Sequence, residues 1–381
     1  MKPKSVCRAK TNLKNPEEAV SFLAKELKSK DAKMSILFIS DAYDVKSIEP
    51  HIKEYMGENV VACSTAGEIN SEEGYCENSI SGVSLNGDAF EVSVLDIPVL
   101  DNFKGEEVSG LRKETLSLID KHREAVPKGR SFAFLLIDGL AMKEEEISNS
   151  LAHVIPGGVP LVGGSAGDGL NFKNTYIYNN GKFEINRAIV VLATTSLPFE
   201  VFKFQHFSES ETQMVITEAD PKNRLVKEID GEPAAEAYAR FLNVPISEFG
   251  PEVYSKHPVM LNIGGSNYVR SIQKVNEDNS LTFYCAIEEG IVLTLANKDS
   301  VADNVESLFT EMKSKLGELD SCVLFECILR RLEILSINEA DKERIMKCYK
   351  ENNAMGFHTY GEQFGGIHVN QTITGIAFGH E

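Results

Sequence analysis

The stretch Val60-Val-Ala-Cys-Ser-Thr-Ala-Gly-Glu68 decides the fold, because this short apolar run ends in a Thr-Ala-Gly-Glu turn and recurs along the chain. A second version reads Pro160-Leu-Val-Gly-Gly-Ser-Ala-Gly-Asp168. A third and weaker version reads Gly356-Phe-His-Thr-Tyr-Gly-Glu362. Copies of one motif with similar surroundings predict a fold that is assembled from repeated supersecondary units.

The segments before the turns repeat as well. An apolar run that ends in aspartate precedes each of the first two turns, and the two aspartates, Asp41 and Asp138, are 97 residues apart. The turn glycines Gly67 and Gly167 are 100 residues apart, so the spacing is nearly constant. The third turn follows the apolar strand Ser321–Cys327. The predicted helices between run and turn span 45–56, 143–154 and 338–349.

Two Asn-Gly pairs predict β-hairpins. Asn86-Gly87 and Asn180-Gly181 each lie between strand-like segments, and Asn-Gly in that setting is a strong hairpin signal. The two glycines are 94 residues apart, close to the spacing of the turns, so we interpret the two pairs as equivalent.

Strands joined by hairpins and mixed with helices predict an α+β fold. We expect repeated strand-helix-strand-hairpin units that form mainly antiparallel sheets covered by helices. The length of 381 residues favours two pseudo-repeated domains. We predict one over 20–197, with an internal duplication of 35–96 and 131–195, and a second over 198–381. Leu197-Pro198 marks the boundary.

The composition excludes several classes of function. A formal charge of −18 argues against nucleic-acid binding, which needs a basic surface. No apolar run approaches the 18 residues of a membrane span, so we expect no membrane insertion. The seven cysteines form no C-x-x-C pair, and the first twenty residues have no apolar core of a signal peptide. These features predict a cytoplasmic protein with free thiols.

The repeated turns could bind a ligand. Their glycines allow backbone N–H groups to approach a bound molecule, and the Thr or Ser hydroxyls and the acids supply polar contacts. The alternative is structural: glycine takes a positive φ and the acid accepts from neighbouring backbone amides. The glycines match neither a dinucleotide-binding fingerprint nor a P-loop, so a nucleotide site is poorly supported.

A second group of polar residues lies in the C-terminal third. Arg270 interrupts a strand-like run and is a candidate clamp for a carboxylate; the alternative places it on the solvent face. Asn370, Gln371 and Thr372 offer neutral donors and acceptors at the start of the last strand. Cys327, in an apolar strand, is a candidate ligand or nucleophile, or a small buried hydrophobic residue.

The sequence carries no strong catalytic or metal motif. It has no H-E-x-x-H, no zinc-spaced Cys/His cluster and no G-x-S-x-G. A Cys-dependent enzyme that uses Cys63 or Cys327 stays the weakest alternative, because no partner base is indicated. Haem would need an axial ligand in an apolar pocket, and the candidate ligands are His257, His358 and His368.

The motifs resemble a known family. Val61–Ile69 and Pro160–Asp168 resemble the signature of the FIST N-terminal domain. Segments of the second half resemble the FIST C-terminal domain, and together the resemblance covers roughly residues 20 to 379. Those segments are Glu228–Ala234, His257-Pro258, Asn267–Arg270, Phe325–Arg330, Gly356–Glu362 and Asn370–Thr372.

The resemblance implies a sensory module of signal transduction that binds a small ligand such as an amino acid, rather than an enzyme. No fused output region resembles a kinase, so we expect a separate signalling partner such as a histidine kinase. Some bacterial relatives resemble haem-binding nitric oxide sensors, which makes haem the alternative cofactor. The predicted ligand contacts are Arg270, Thr65, Glu68, Gly163, Gly164, Asp168, Thr359, Tyr360, Glu362, Asn370, Gln371, Thr372, Arg330 and Cys327.

Overall fold

The computed structural model describes residues 4–28 and 31–380, with every side chain there except those of 251 and 252. Three repeated units make up most of the chain. Unit 1 (6–86) contains β1 (Val6–Thr11), α1 (Pro16–Glu26), β2 (Ala32–Ser40), α2 (Val45–His51), β3 (Val60–Thr65), β4 (Glu68–Asn70), β5 (Gly74–Cys76) and β6 (Ile80–Asn86).

Unit 2 (90–195) repeats the same order of elements. It contains β7 (Phe90–Ile97), α3 (Glu106–Ala125), β8 (Arg130–Ile137), α4 (Glu144–Val154), β9 (Leu161–Ser165), β10 (Ile177–Asn179), β11 (Lys182–Glu184) and β12 (Ala188–Thr195).

Unit 3 is interrupted after its first strand, β13 (Phe199–Gln205), by an insertion (207–298) that forms a fourth sheet. The insertion contains β14 (Phe207–Asp220), β15 (Leu225–Ile229), β16 (Glu232–Pro233), α5 (Ala234–Phe241), α6 (Pro251–Tyr254), β17 (Val259–Ile263), β18 (Ser266–Arg270), β19 (Ile272–Val275), β20 (Leu281–Phe283) and β21 (Val292–Lys298). Unit 3 then continues through α7 (Val301–Leu316), β22 (Leu319–Cys327), α8 (Ile328–Ser336), α9 (Glu339–Glu351), β23 (Ala354–Thr359), β24 (Glu362–Phe364), β25 (Ile367–Val369) and β26 (Thr372–Gly379).

Several helices begin where the sequence supplies a capping side chain. The oxygen of each cap accepts from the backbone N–H three residues on, which satisfies a donor that the helix cannot pair. In α1 the cap also precedes proline at the first helical position, where its missing N–H costs nothing. The caps are Asn15, Asp44, Ser300 and Asn338.

The three units exchange hairpins in a cycle. In each unit sheet the two central strands run parallel and the other strands are antiparallel. The strand order of the first sheet is β1-β6-β2-β3, followed by the hairpin β10–β11 of unit 2. The second sheet ends in β24–β25 of unit 3, and the third ends in β4–β5 of unit 1. No unit therefore completes its sheet alone.

One apolar core lies between the three unit sheets. Phe38 of unit 1 stacks on Phe357 of unit 3 with ring centroids 4.9 Å apart. Phe134 of unit 2 meets Phe325 of unit 3 edge to face at 5.7 Å. The insertion has its own core, in which Tyr238 is buried. Burial of large aromatic side chains on all three inner faces explains why the units assemble.

The predicted fold class is confirmed: helices cover sheets that are mainly antiparallel, and the units repeat. The hairpin at Asn180-Gly181 is also confirmed, since β10 pairs with β11. The hairpin at Asn86-Gly87 is wrong, because β6 pairs with β1 and β2 whereas β7 pairs with β12 of the second sheet. The two Asn-Gly pairs are therefore not equivalent, and the first carries the chain from unit 1 to unit 2. The domain boundary at 197 stays a prediction.

Close approach of the central strands requires glycine in unit 3. A Cβ at Gly356 would collide with the backbone carbonyl oxygen of Leu324, whereas unit 1 has Ala62 at the matching position. We expect Gly356→Ala to destabilise the protein by about 1–3 kcal/mol, because the parallel pair must separate. Ala62→Gly is the matched control, expected to cost about 0.5–1 kcal/mol through backbone entropy. Urea unfolding measures the stability of both variants. An unchanged free energy of unfolding for G356A would show that the two strands can separate without cost.

Candidate functional site

The three repeated turns meet and form a closed ring, here called the turn ring (residues 64–68, 165–169 and 358–362). Gly167 N donates to Ser64 O at 3.0 Å, and Ser165 N donates to Gly361 O at 2.8 Å. Ala66 N donates to the carbonyl oxygen of residue 358 at 3.0 Å and closes the cycle. The turns are thus joined by backbone hydrogen bonds, a role that sequence alone did not reveal.

Two acids of the turn ring occupy equivalent, fully buried positions. Glu68 accepts from the hydroxyl of Thr65 and, at 2.6 Å, from that of Ser79. Glu362 accepts from the hydroxyl of Thr359 and, at 2.7 Å, from that of Thr372. Burial raises the pKa of Glu68 to about 7 and that of Glu362 to about 8, although the hydroxyl donors oppose the shift.

The third acid, Asp168, behaves as a cap. It accepts from the backbone N–H groups of Phe172 (2.8 Å), Lys173 (2.7 Å) and Asn174 (2.9 Å), and it also accepts from the Tyr360 hydroxyl. The contacts of Asp168 therefore match the structural alternative, in which the acid accepts from neighbouring backbone amides. A ligand role for the three acids, and for Thr65 and Thr359, stays a prediction.

The other predicted contacts in the ring area are held by packing. A Cβ at Gly163 would collide with Leu135 O, and one at Gly164 would press on the Thr359 side chain. The aromatic ring of Tyr360 stacks on that of Phe172, with their centroids 4.6 Å apart. Tyr360 is buried and Phe172 is exposed, so this contact connects the turn ring to the protein surface. Their contact with a ligand stays a prediction.

Arg270 lies at the contact between the insertion and the hairpin of unit 3. Its side chain is only 4% exposed, so the solvent-face alternative is wrong. Nη1 donates to the carbonyl oxygen of His368 at 2.9 Å, and Nε has no hydrogen-bond partner among the described residues. Among the side chains that the structure describes, no carboxylate lies within ion-pair distance of Arg270. A buried guanidinium without a countercharge is energetically unfavourable, and an anion bound beside it would reduce this cost.

Amide side chains surround the same place. Gln363 Nε2 lies 3.3 Å from His368 Nδ1, and Asn370 Nδ2 lies 3.4 Å from His368 Nε2. The oxygens Gln363 Oε1 and Asn370 Oδ1 are buried without partners in the described part of the chain. Gln371 accepts from Ser271 at 2.9 Å and ties the hairpin to the insertion. We name Arg270, Gln363, His368 and Asn370 the arginine chamber.

Arg330 is fully engaged within the protein. Its Nε donates to Glu326 Oε1 at 2.9 Å, its Nη1 to His206 Nδ1 at 2.6 Å and its Nη2 to Asn304 Oδ1 at 3.0 Å. Burial lowers the pKa of His206 to about 4, so the ring is neutral and its Nε2 donates to Glu333. Arg330 has little capacity left for a ligand, and its predicted role is untested.

The candidate nucleophiles are buried thiols. Cys63 and Cys327 are 0% and 2% exposed, and burial raises the pKa of each thiol well above its usual range. A catalytic cysteine needs an accessible thiolate with a lowered pKa, so neither environment favours nucleophilic catalysis. No group of three His, Cys, Asp or Glu side chains within 4–28 and 31–380 is arranged to hold a metal ion.

The candidate haem ligands do not fit a haem. His358 and His368 are enclosed by protein, at 0% and 1% exposure, and burial lowers the pKa of both rings. His257 is exposed. An apolar cavity of ≈ 590 Å³ lies beside α8, and its described lining includes no histidine. His358 and His368 therefore offer no accessible nitrogen to an axial position, and His257 is absent from the described lining of this cavity.

Sequence reasoning missed several residues of this region. Gln363 follows the third turn directly, and its position after the repeated motif was a usable signal. Phe172 and Arg224 gave no signal, because their partners, Tyr360 and Glu144, come from other elements. None of the helices described is long and apolar enough to cross a membrane.

The described residues thus form repeated α+β units around the turn ring, with an inserted sheet that packs over a buried arginine. Two family models match the chain: the FIST N domain over residues 33–232 and the FIST C domain over 234–365. The chain therefore belongs to the FIST family, whose domains are sensory domains in signal transduction. No protein of curated function matches it.

Proposed function

We propose that this protein senses a small carboxylate-bearing ligand, an amino acid or a close analogue, and relays its presence through a separate partner in the cytoplasm. The observation that carries the proposal is Arg270, a buried guanidinium without a carboxylate partner among the described side chains. Guanidinium binds carboxylate in a fork geometry, and a ligand carboxylate would supply the missing countercharge.

The neighbours of Arg270 suit the other end of an amino acid. Gln363 and Asn370 carry buried amide oxygens without partners among the described residues, and oxygen acceptors of this kind bind an ammonium group. The turn ring lies next to them, since Gln363 Nε2 donates to Ser165 Oγ at 2.9 Å. A ligand here would contact units 2 and 3 and the insertion together.

Binding would require the insertion to move. Arg270 lies in β18 and His368 in β25, so the arginine chamber is closed by the contact between these strands. A ligand that enters and bridges the strands would shift the population between an open and a closed arrangement. A partner such as a histidine kinase would bind one arrangement better. Haem and Cys-dependent catalysis receive no support from the environments of His257, His358, His368, Cys63 and Cys327.

Replacing Arg270 by methionine separates a ligand role from a structural one. Because Arg270 lacks a described ion-pair partner, we expect Arg270→Met to leave the melting temperature unchanged or higher. The stabilisation of the wild type by its ligand, about 2.7 kcal/mol at a hundredfold excess over Kd, should disappear. Thermal shift against a panel of amino acids measures both effects.

The matched control is Arg187→Met. Arg187 is also buried, but it pairs with Asp96 and Glu184, so its loss should lower stability and leave the ligand response intact. Failure of every amino acid to stabilise the folded wild type would contradict the ligand class. Equal destabilisation by R270M and R187M, with the ligand response kept, would make Arg270 structural.

A further inference from the structure

Two adjoining cavities lie between the insertion and units 2 and 3. The outer cavity, ≈ 590 Å³, has apolar walls from α8 and from the loop after the second turn, including Leu170, Ile328, Leu329 and Leu332. This volume and this lining are typical of small-molecule sites. None of the four residues of the arginine chamber belongs to its described lining.

The inner cavity, ≈ 130 Å³, has a different character. Phe172 and Tyr284 line both cavities, so the two spaces adjoin. Tyr360 lines the inner cavity and stacks on Phe172 with an interplanar angle of 19°. Four aromatic residues, these three and Phe283, therefore line a small space that adjoins the apolar outer cavity.

An ion cluster with excess negative charge borders the inner cavity. Glu144 and Arg224 line it, and Arg224 Nη2 binds both Glu144 (2.6 Å) and Glu145 (2.8 Å). Glu145 lies outside the described lining, but because two carboxylates share one guanidinium, the cluster of these three side chains has one net negative charge. In the outer cavity Lys256 and Glu333 carry opposite charges. Aromatic faces beside a carboxylate attract a cationic head group.

We infer that these cavities bind an amphipathic ammonium compound, with its cationic head in the inner cavity and its apolar body in the outer one. The site is separate from the arginine chamber and selects the opposite charge, so it goes beyond the function proposed above. Phe172, Tyr284 and Tyr360 surround the head, and Glu144 supplies the countercharge. An anionic head would face Glu144 and would be rejected.

The probe is (4-phenylbutyl)trimethylammonium, compared with its neutral tert-butyl isostere and with 5-phenylpentanoate. Titration of the full chain, followed by calorimetry and ligand-observed NMR, gives the three affinities. We expect the cation to bind roughly three- to thirtyfold more tightly than the neutral isostere, the range of a cation–π contact. The carboxylate should bind more weakly than both.

Two variants on one helix locate the body of the probe. Leu332→Arg places a charged side chain in the outer cavity and should weaken binding at least tenfold. Leu335→Arg is the matched control: Leu335 is also exposed on α8 but is absent from the described lining of both cavities, so affinity should be unchanged. Phe172→Leu should remove the preference for the cation and keep binding of the neutral isostere.

Several results would overturn the inference. Binding of the cation no tighter than that of the neutral isostere, no binding of any probe, or equal effects of L332R and L335R would each do so. Arg270→Met should leave the affinity for the ammonium probe unchanged. The amino-acid proposal and the ammonium proposal therefore fail independently of each other.

Discussion

Replacing Arg224 by methionine is expected to lower the free energy of unfolding by about 3–5 kcal/mol at neutral pH. Arg224 is buried and holds Glu144 and Glu145 of unit 2 while its Nη1 donates to Tyr284 O at 2.5 Å. Methionine fills a similar volume but leaves two carboxylates without their cation. Breaking one side of a buried ion pair is costly because the remaining charge stays desolvated.

The same contacts connect the insertion to unit 2. Ala286 N of the insertion donates to Glu145, so Glu145 loses one of two attachments when Arg224 is removed. Nearby positive charge, opposing burial, lowers the pKa of Glu145 in the native protein. We therefore expect undocking of the insertion before the units unfold, seen as faster hydrogen exchange in β15 and β20.

Two further variants control this experiment. The triple variant Arg224→Met, Glu144→Gln, Glu145→Gln removes all three charges and should recover most of the loss. Arg344→Met likewise removes a guanidinium that contacts carboxylates, here those of Asp303, Glu306 and Asp341, but its side chain is 39% exposed. Its effect should be much smaller. Urea denaturation at pH 7 compares the variants, and equal losses for R224M and R344M would contradict the argument.

The second large effect is expected from Glu68→Gln combined with Glu362→Gln. Folding raises the pKa of these carboxyls from 4.5 to about 7 and about 8, so the native protein holds protons that the unfolded chain releases. Stability is therefore fully present below about pH 4.5 and falls as pH rises through both native values. The expected loss is on the order of 3–5 kcal/mol per group.

Glutamine keeps the size of the side chain and cannot ionise. The double variant should match the wild type near pH 4.5 and exceed it at pH 9, measured as the free energy of unfolding across that range. Asp168→Asn is the control from the second turn, and it should destabilise because its amide N–H₂ would face a backbone N–H from which the Asp168 carboxylate now accepts a hydrogen bond. If the free energy of unfolding depended on pH in the same way for the wild type and the double variant, Glu68 and Glu362 would not be buried as protonated acids.

The repeat was predictable because its signals are local. Apolar runs, turn glycines and acids recur at nearly constant spacing, and each maps onto the same step of a unit. Exchange of the hairpins was not predictable, since β4–β5 and β10–β11 pair with strands distant in sequence. The same reason explains the error at Asn86-Gly87: the pair is locally identical to Asn180-Gly181, and only tertiary contacts distinguish them.

The candidate site likewise has features that local sequence predicts and features that depend on tertiary contacts. Sequence placed Arg270 in a strand and offered two faces for it, and packing against the hairpin of unit 3 selected the buried one. The sequence could not show that the Leu135 carbonyl leaves no room for a side chain at position 163, because that contact joins two strands. The aromatic wall of the inner cavity was also hidden, since Phe172 and Tyr284 belong to different units of the fold.

The cyclic exchange of hairpins has a consequence during synthesis. The hairpin β4–β5 emerges from the ribosome early, but its partner β23 is made almost three hundred residues later. The edge of strand β9 is likewise uncovered until β24, its partner in the sheet, has been synthesised. Uncovered edges attract other chains, so the nascent protein carries this hazard until β23 and β24 have been synthesised. A chaperone that shields the early hairpin would therefore raise the yield of native protein more than one that acts after release.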